Sequence, residues 1–583
     1  MDSQSAFTMI RGVQQALKVL VFLQLTEYLW PKHIDVPDGA SFEFIVVGAG
    51  TAGSVVANRL TEDPNVNVLL IEAGGDPPLE SEIPGTLYFM MRETQYDWNI
   101  TMEADQRVET CHQQPNAPNS LGRMLGGTSS MSYLMYSEGS RGTITRGQLY
   151  SETTRGSGRM HCPTLEKAES VAIPKILASD IDKDLYGTEG YFKVSVEKYD
   201  DDEKYFQTCN DMGYQEVPDL NENHPLGCSR MKIAVGDGAR QSTARAYLTP
   251  IKDRPNLYVT KHTQVTKILF DGNKNAIGVE ALTNDGKTMV YKSTKEVIVS
   301  AGAINTAKLL MLSGVGPKDQ LQKHNIEVIS ELPVGENLQD HVSTILIHKT
   351  EKASGPPPPM NPYEYPAPTI LSHLAFDKSQ GQADYQVGSF IVPESIVLYY
   401  CTYNFRFKHQ ICDDLYTLIK GRKAIFHMLS ILNTKTRGKV ALKSSNALDH
   451  PVIDYKYLSN EEDLENTVNS LEDFSRIVET THLKNVNAEL VDPVSVNCGQ
   501  FSKQSKEFWK CYSSCMFSGY NYFAGTCAMG SVVDTKLKVK GVQNLRVVDA
   551  SVMPTITSTG VMGPAIMIGE KGADIIKQEF GLS

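Results

Sequence analysis

Apolar residues in this chain gather into short unbroken runs divided by glycine and polar turns. Phe44-Ile-Val-Val47 and Val68-Leu-Leu-Ile71 are two such runs. Their length and turn-residue boundaries predict strands buried on both faces. Between them, Gly48-x-Gly50-x-x-Gly53 opens a stretch to Leu60 that reads as a helix, and Glu72 ends the second strand. Further strand-like runs occupy 191–196, 257–260, 265–270, 276–280 and 296–300. The last passes into a helical segment with a glycine stop at 314–316. Between about 340 and 510, alternating segments such as 439–443 and a helical stretch over 461–478 predict an antiparallel sheet backed by helices. A short strand at 545–551 and a helix over about 564–578 close the chain, and no internal repeat is visible.

These elements predict a mixed α/β protein (α+β overall). A doubly wound dinucleotide-binding domain is interleaved with a substrate domain built on an antiparallel sheet backed by helices. At 583 residues the chain is too long for one core. The expected division is an N-terminal segment over 1–40, a binding domain over 41–340 with interleaved strands at about 190–250, a substrate domain over 341–510, and a return to the first domain over 511–583.

Charge excludes one partner class. Lys and Arg number 56 against 68 Asp and Glu, a net charge of −12, and no dense basic run offers a nucleic-acid surface. Ten cysteines include no CxxC pair. Cys511 and Cys515 could share a helix face, as structural residues or in disulfides, but no partner pair completes a zinc pattern, so no metal is expected. An apolar run at 16–25 follows Arg11, as in a secretory signal, although Lys18 and Gln24 interrupt it and no small-residue cleavage site follows. The alternative is an amphipathic N-terminal helix. The run is too short to span a bilayer, and export is the expectation. Asn99-Ile-Thr101 is a glycosylation triplet of the kind that also occurs by chance.

The glycine unit carries the first chemistry. Gly48 permits the tight turn, Gly50 lets backbone approach a pyrophosphate, and Gly53 allows helix to pack closely on strand. The helix N-terminus adds free N–H groups and the positive end of its dipole. Glu72 stands where a carboxylate accepts the ribose hydroxyls of an adenosine. A second glycine and hydroxyl cluster, Gly122-Arg-Met-Leu-Gly-Gly-Thr-Ser-Ser130, looks like another backbone cradle.

From about residue 40 to the end, the chain resembles the glucose–methanol–choline (GMC) flavoprotein oxidoreductases. The 122–130 cluster is similar to one family signature and the 302–316 segment to the other. Pro333-Val-Gly-Glu-Asn-Leu-Gln-Asp-His341 and the stretch Arg546 to Ser558 also match, in the right order. The likeness is nearest to arthropod members, and within them to the insect (3Z):(2E)-hexenal isomerases. The resemblance implies FAD. It places Gly48, Gly50 and Gly53 at the pyrophosphate and Glu72 at the adenosine ribose. Arg123, Gly126, Gly127 and Ser129 fall along the flavin and phosphates, Val265 on the adenine side, and Asp549 and Ala550 beside the ribityl chain and ring.

Two departures bear on function. Where the family carries a His before Gly-Thr-Cys, this chain has Tyr522, and Met562 takes the place of a second His or Asn. Ser132 replaces an Asn of the first signature, and a loop at 142–162 replaces a charged aromatic element. Oxidising an alcohol removes the O–H proton while hydride leaves the carbon. Imidazole, with a pKa near ~6.5, accepts that proton, whereas a phenol near ~10 is a donor, and the gap is unfavourable by about 5 kcal/mol. Met562 forms no strong hydrogen bond. Three readings follow, each acting on or binding a small molecule. One is an isomerase that shifts a double bond in an unsaturated aldehyde, with Tyr522 as acid and Tyr520 or His341 as candidate bases. The second is an alcohol or sugar dehydrogenase or oxidase with a rewired base. The third is a flavin-binding pseudoenzyme.

Overall fold

The computed structural model describes residues 29–86, 95–114, 119–139, 163–199, 202–221, 223–352, 363–365, 369–392 and 394–583. The apolar run at 16–25, the 142–162 loop and most of the proline-rich stretch 356–368 lie outside them.

The chain crosses repeatedly between two layers. β1 (Ser41–Val47) enters the glycine turn, α1 (Thr51–Leu60) leaves it, and β2 (Val68–Ile71) returns parallel to β1. β3 (Gly227–Arg230) belongs to the second layer. β4 (Leu257–Thr260), β5 (Thr263–Phe270), β6 (Ala276–Thr283) and β7 (Thr288–Val299) return to the first, and α2 (Gly302–Leu312) follows β7. The second layer then takes β8 (Val342–Lys352), β9 (Thr369–Leu374), β10 (Tyr385–Val392) and β11 (Arg422–Ile431). Helix α3 (Glu461–Ser475), β12 (Glu489–Leu490), helix α4 (Lys506–Cys515) and β13 (Phe517–Gly519) complete it. β14 (Leu545–Val547) and α5 (Met562–Phe580) close the first layer.

The first sheet runs β4-β2-β1-β7-β6-β5, with β14 beside the far end of β7. Its centre is parallel: Ile45 pairs with Leu69 on one side and Val297 on the other. These strands bury both faces, which explains their continuous apolar runs. Arg546 on β14, wholly buried, donates to the Glu296 carboxylate at the edge of β7 (2.6 and 3.1 Å), fixing the C-terminal strand to the sheet.

The second sheet, β12-β8-β11-β10-β9-β3 with β13 also on β8, is antiparallel throughout. Strand geometry sends neighbouring side chains to opposite faces. On β11, His427 packs against Phe474 of α3 while Met428 faces the cavity between the layers. Phe390 of β10 faces that cavity too, and its neighbour Ser389 pairs with His427 behind the sheet (2.8 Å). Asn460 caps α3, accepting from the Glu462 and Asp463 amides, and three acids fill the first turn.

The structure departs from the sequence reading in places. Lys439–Ala441 does not join the large sheet but pairs with Val452–Asp454 in a separate ribbon. The helix expected to 478 ends at Ser475 and continues as a tight turn over Arg476–Glu479. Cys511 and Cys515 share α4 but bond in different directions, to Cys498 and Cys111. Cys209–Cys228 and Cys401–Cys412 are the other disulfides among the described residues, and Cys527 is buried and free. Among those residues no helix is long and apolar enough to cross a membrane.

Candidate active site

A cavity of about 310 Å³ lies between the layers, and two glycine turns meet at its floor. Gly48 takes φ +96°, and a Cβ there would lie 2.6 Å from the Ser300 carbonyl oxygen. A Cβ on Gly53 would overlap the Gly48 carbonyl, so this glycine serves the seating of α1 on β1 and does not line the cavity. Gly50, the residue before α1, and Gly127, at φ +54°, face each other: a Cβ on Gly127 would stand 2.8 Å from the Gly50 Cα. Gly126 lies outside the cavity. Its amide donates to Ala49 O (2.7 Å), and its φ of +81° makes the turn that brings Gly127 and Ser129 to the wall.

The N-termini of α1 and α2 both open on this space through Gly50, Thr51, Gly302 and Ala303. Neither helix has an acid in its first turn, so their amides and dipoles favour anionic groups. Asp549 ties the α2 entry down, its Oδ2 accepting from the Gly302 amide (2.9 Å) and the Thr306 hydroxyl (2.6 Å). Asp549 and Ala550 both line the cavity.

Glu72 lines the same space, its carboxylate accepting from the Ala49 and Gly74 amides (2.9 Å each). Burial pushes it up to about 7 despite those bonds. Beyond it lie Val265, Gln264 and Lys308. Gln264 and Lys308 both donate to the Ala447 carbonyl (3.1 and 2.6 Å), and burial lowers Lys308 to about 8. Arg123 stands behind this wall with its guanidinium 5.1 Å from the Trp98 ring centre, and Trp98 takes the lining position. Two facing glycine turns, two helix N-termini and a carboxylate at the strand end fit a dinucleotide with its pyrophosphate in the middle.

The other end of the cavity is rich in aromatic and apolar side chains, with Asn404, Ser518 and Asn521 also in its wall. Phe390, Tyr400, Phe405 and Met428 come from the second layer, and Met562 from the start of α5. Tyr520 and Tyr522 stack, ring centres 5.1 Å apart and 22° between planes, and both line the space. Burial raises both phenols, Tyr520 to about 12 and Tyr522 further, so both stay protonated at neutral pH. No histidine among the described residues lines the cavity. His341 contacts the Tyr522 ring edge-on, centres 6.4 Å apart, but its Nε2 is spent on the Thr557 carbonyl (2.7 Å).

Asp340 was missed as a site residue, although it is one of the two acids of the 333–341 motif. Wholly buried, its carboxylate accepts from the backbone amides of Tyr522 (2.7 Å), Asn521 (3.1 Å) and His341 (2.8 Å), and from the Tyr457 hydroxyl. Asn521 sits in the left-handed region at φ +60°, so these bonds hold a tight turn that presents Tyr522 to the cavity.

Two family models described as GMC oxidoreductase match residues 42–343 and 434–569. The chain is 33% identical to ecdysone oxidase of Spodoptera littoralis over 95% of this chain and 94% of the relative. It is 32% identical to glucose dehydrogenase [FAD, quinone] of Drosophila melanogaster over 93% and 87%. A formate oxidase variant from Aspergillus oryzae superposes with a TM-score of 0.79 at 23% identity, covering 94% of this chain and all of that one. The chain belongs to the GMC oxidoreductase family, and its cofactor is FAD.

Proposed function

We propose that this protein is an FAD-containing isomerase that moves a double bond in an unsaturated aldehyde, such as (3Z)-hexenal to (2E)-hexenal, by proton transfer without net oxidation. The observation that carries this reading is the aromatic end of the cavity, where buried phenols at 520 and 522 and a thioether at 562 stand and no imidazole among the described residues lines the wall. Bound FAD supplies a flat, electron-poor ring. In this reading Gly48, Gly50, Gly127 and Ser129 approach the pyrophosphate, Glu72 accepts the ribose hydroxyls, Val265 borders the adenine, and Asp549 and Ala550 border the flavin. Tyr522, kept protonated by burial, is the acid. Phe390, Phe405, Met428 and Met562 suit a short hydrocarbon tail, and the phenols at 520 and 522 suit its carbonyl end.

The relatives favour a second reading, an FAD-dependent alcohol or sugar dehydrogenase or oxidase. Ecdysone oxidase and glucose dehydrogenase are both redox enzymes by name. One experiment separates the two. Holoprotein under anaerobic conditions is given alcohols and, separately, a β,γ-unsaturated aldehyde. Conversion of the aldehyde to its conjugated isomer with the flavin band unbleached supports the isomerase; bleaching by an alcohol at a useful rate defeats it. Export is proposed as well, supported by four disulfides, which persist in oxidising compartments.

A further inference from the structure

Behind the stacked tyrosines lies a second, smaller chamber of about 30 Å³. Tyr520, Tyr522, Met135 and Gly560 belong to the walls of both spaces, so the two phenols form the partition between them. A water requires roughly 10–15 Å³ of such space and two to four polar partners. The volume therefore accommodates two.

The partners are there. Ser430 Oγ donates to the Tyr520 hydroxyl (3.0 Å). Across the chamber the Ser137 and Thr559 hydroxyls bond one another at 2.5 Å, and Gln386 adds a carboxamide. His341, Tyr136 and Ser558 also face the chamber, with the His341 Nε2 held by the Thr557 carbonyl (2.7 Å), and Met231, Leu371 and Leu432 supply its apolar wall. None of these groups is needed to explain how the cofactor is held.

We propose that this chamber is a two-water site that returns protons to Tyr522 during turnover, with Ser430 as the positioning residue that orients the water nearest the phenols. The inference rests on the isomerase reading. In one turnover Tyr522 gives its hydroxyl proton to the distal carbon of the substrate, and a chamber water re-protonates the phenolate oxygen. The proton released from the carbon next to the carbonyl passes to solvent water on the cavity side, and solvent returns one proton to the chamber chain. One C–H bond breaks and one forms, no electrons leave the substrate, and the chain ends with the protons it began with.

The test uses holoprotein with a β,γ-unsaturated aldehyde in D₂O. Wild-type product carries deuterium at the distal carbon. Ser430→Val removes the hydroxyl while suiting a strand, and Ser430→Thr keeps it. The expectation for Ser430→Val is a kcat lower by about tenfold, within the range that proton-transfer groups contribute. Its KM and flavin content stay unchanged and deuterium uptake falls, while Ser430→Thr restores both readouts. A high-resolution crystal structure of the wild-type holoprotein shows water bonded to Ser430 Oγ. A dry chamber, or a Ser430→Val variant with wild-type kcat and deuterium uptake in an enzyme that does isomerise, overturns the water route alone. Flavin reduction by alcohols without aldehyde isomerisation overturns the isomerase reading and the route with it.

Discussion

Two imidazoles lie buried behind the chamber strands, and they set a measurable acid limit on the fold. His348 of β8 and His427 of β11 pack edge to face with ring centres 5.1 Å apart. His348 is fully buried with neither ring nitrogen partnered, and His427 holds only Ser389. Burial lowers His348 to about 4, and His427, also beside His348, well below its ordinary value. A histidine whose pKa is lower folded than unfolded leaves stability intact above the unfolded value near 6.5. Below it the unfolded chain takes up a proton that the folded protein refuses. Stability therefore drains as pH falls from about 6.5 to about 4. For His348 the span of about 2.5 units, at 1.36 kcal/mol each, is about 3.4 kcal/mol. Other carboxyls titrate in the same window, so the measurement is a difference. Urea unfolding of wild type and His348→Leu is compared at pH 7 and pH 4.5. The variant lacks the titration, and the stability gap should move in its favour by about 2–3 kcal/mol on acidification. Parallel pH profiles for the two proteins would refute the reasoning.

Three further outcomes follow from the site. Tyr522→His puts a neutral base where the phenol stands; anaerobic bleaching of the flavin by alcohols should rise by up to ~3 × 10³-fold, the equivalent of the gap of about 5 kcal/mol in reference pKa. A wild-type protein that bleaches equally fast would contradict the assignment. Gly127→Ala forces a Cβ to 2.8 Å from the Gly50 Cα at a φ of +54°, so flavin content after purification should drop at least about tenfold while far-UV circular dichroism is retained. Denatured protein should gain eight titratable thiols on reduction, two from each of the four disulfides, and a count unchanged by reductant would remove the argument for export.

The first sheet was legible because its strands obey simple rules. β1 and β2 bury both faces and read as unbroken apolar runs, and Gly48 marks the turn by a conformation that favours glycine. The second sheet was legible as antiparallel and helix-backed, but not strand by strand. β8, β9 and β11 carry polar side chains into buried positions, among them Thr344, His348, Ser372, His373 and His427, so no apolar alternation announces them. Partners distant in sequence satisfy some of these groups: His373 pairs with Gln386 of β10, and Ser372 with Cys228 of β3. The 439–443 alternation was real, but a two-stranded ribbon and a large sheet demand the same pattern. Disulfide pairing was unreadable, since Cys111 and Cys515 are 404 residues apart. In the site, Tyr522 and Met562 do share one cavity with the glycine turns, whereas Gly53, Gly126 and Arg123 stay out of its wall. Two of those three are glycines whose work is backbone packing, which a sequence motif does not distinguish from ligand contact.

The way Tyr522 is held bears on how one scaffold can change its chemistry. Three of the four bonds to the Asp340 carboxylate come from backbone amides, and the fourth comes from Tyr457, so none depends on which side chain occupies position 522. The turn that aims this residue at the cavity is thus built independently of the group it presents. Glu72 bonds to backbone amides and Asp549 to the Gly302 amide and the Thr306 hydroxyl, so neither bonds to Tyr522 or Met562. Exchanging an imidazole for a phenol at 522 would therefore leave the cofactor seat and its supporting turn intact. The change falls on proton affinity, from a group that accepts a proton at neutral pH to one that burial keeps protonated. A variant at 522 thus tests the acid–base group separately from the cofactor seat, because the supporting turn is held by Asp340 whichever side chain it presents.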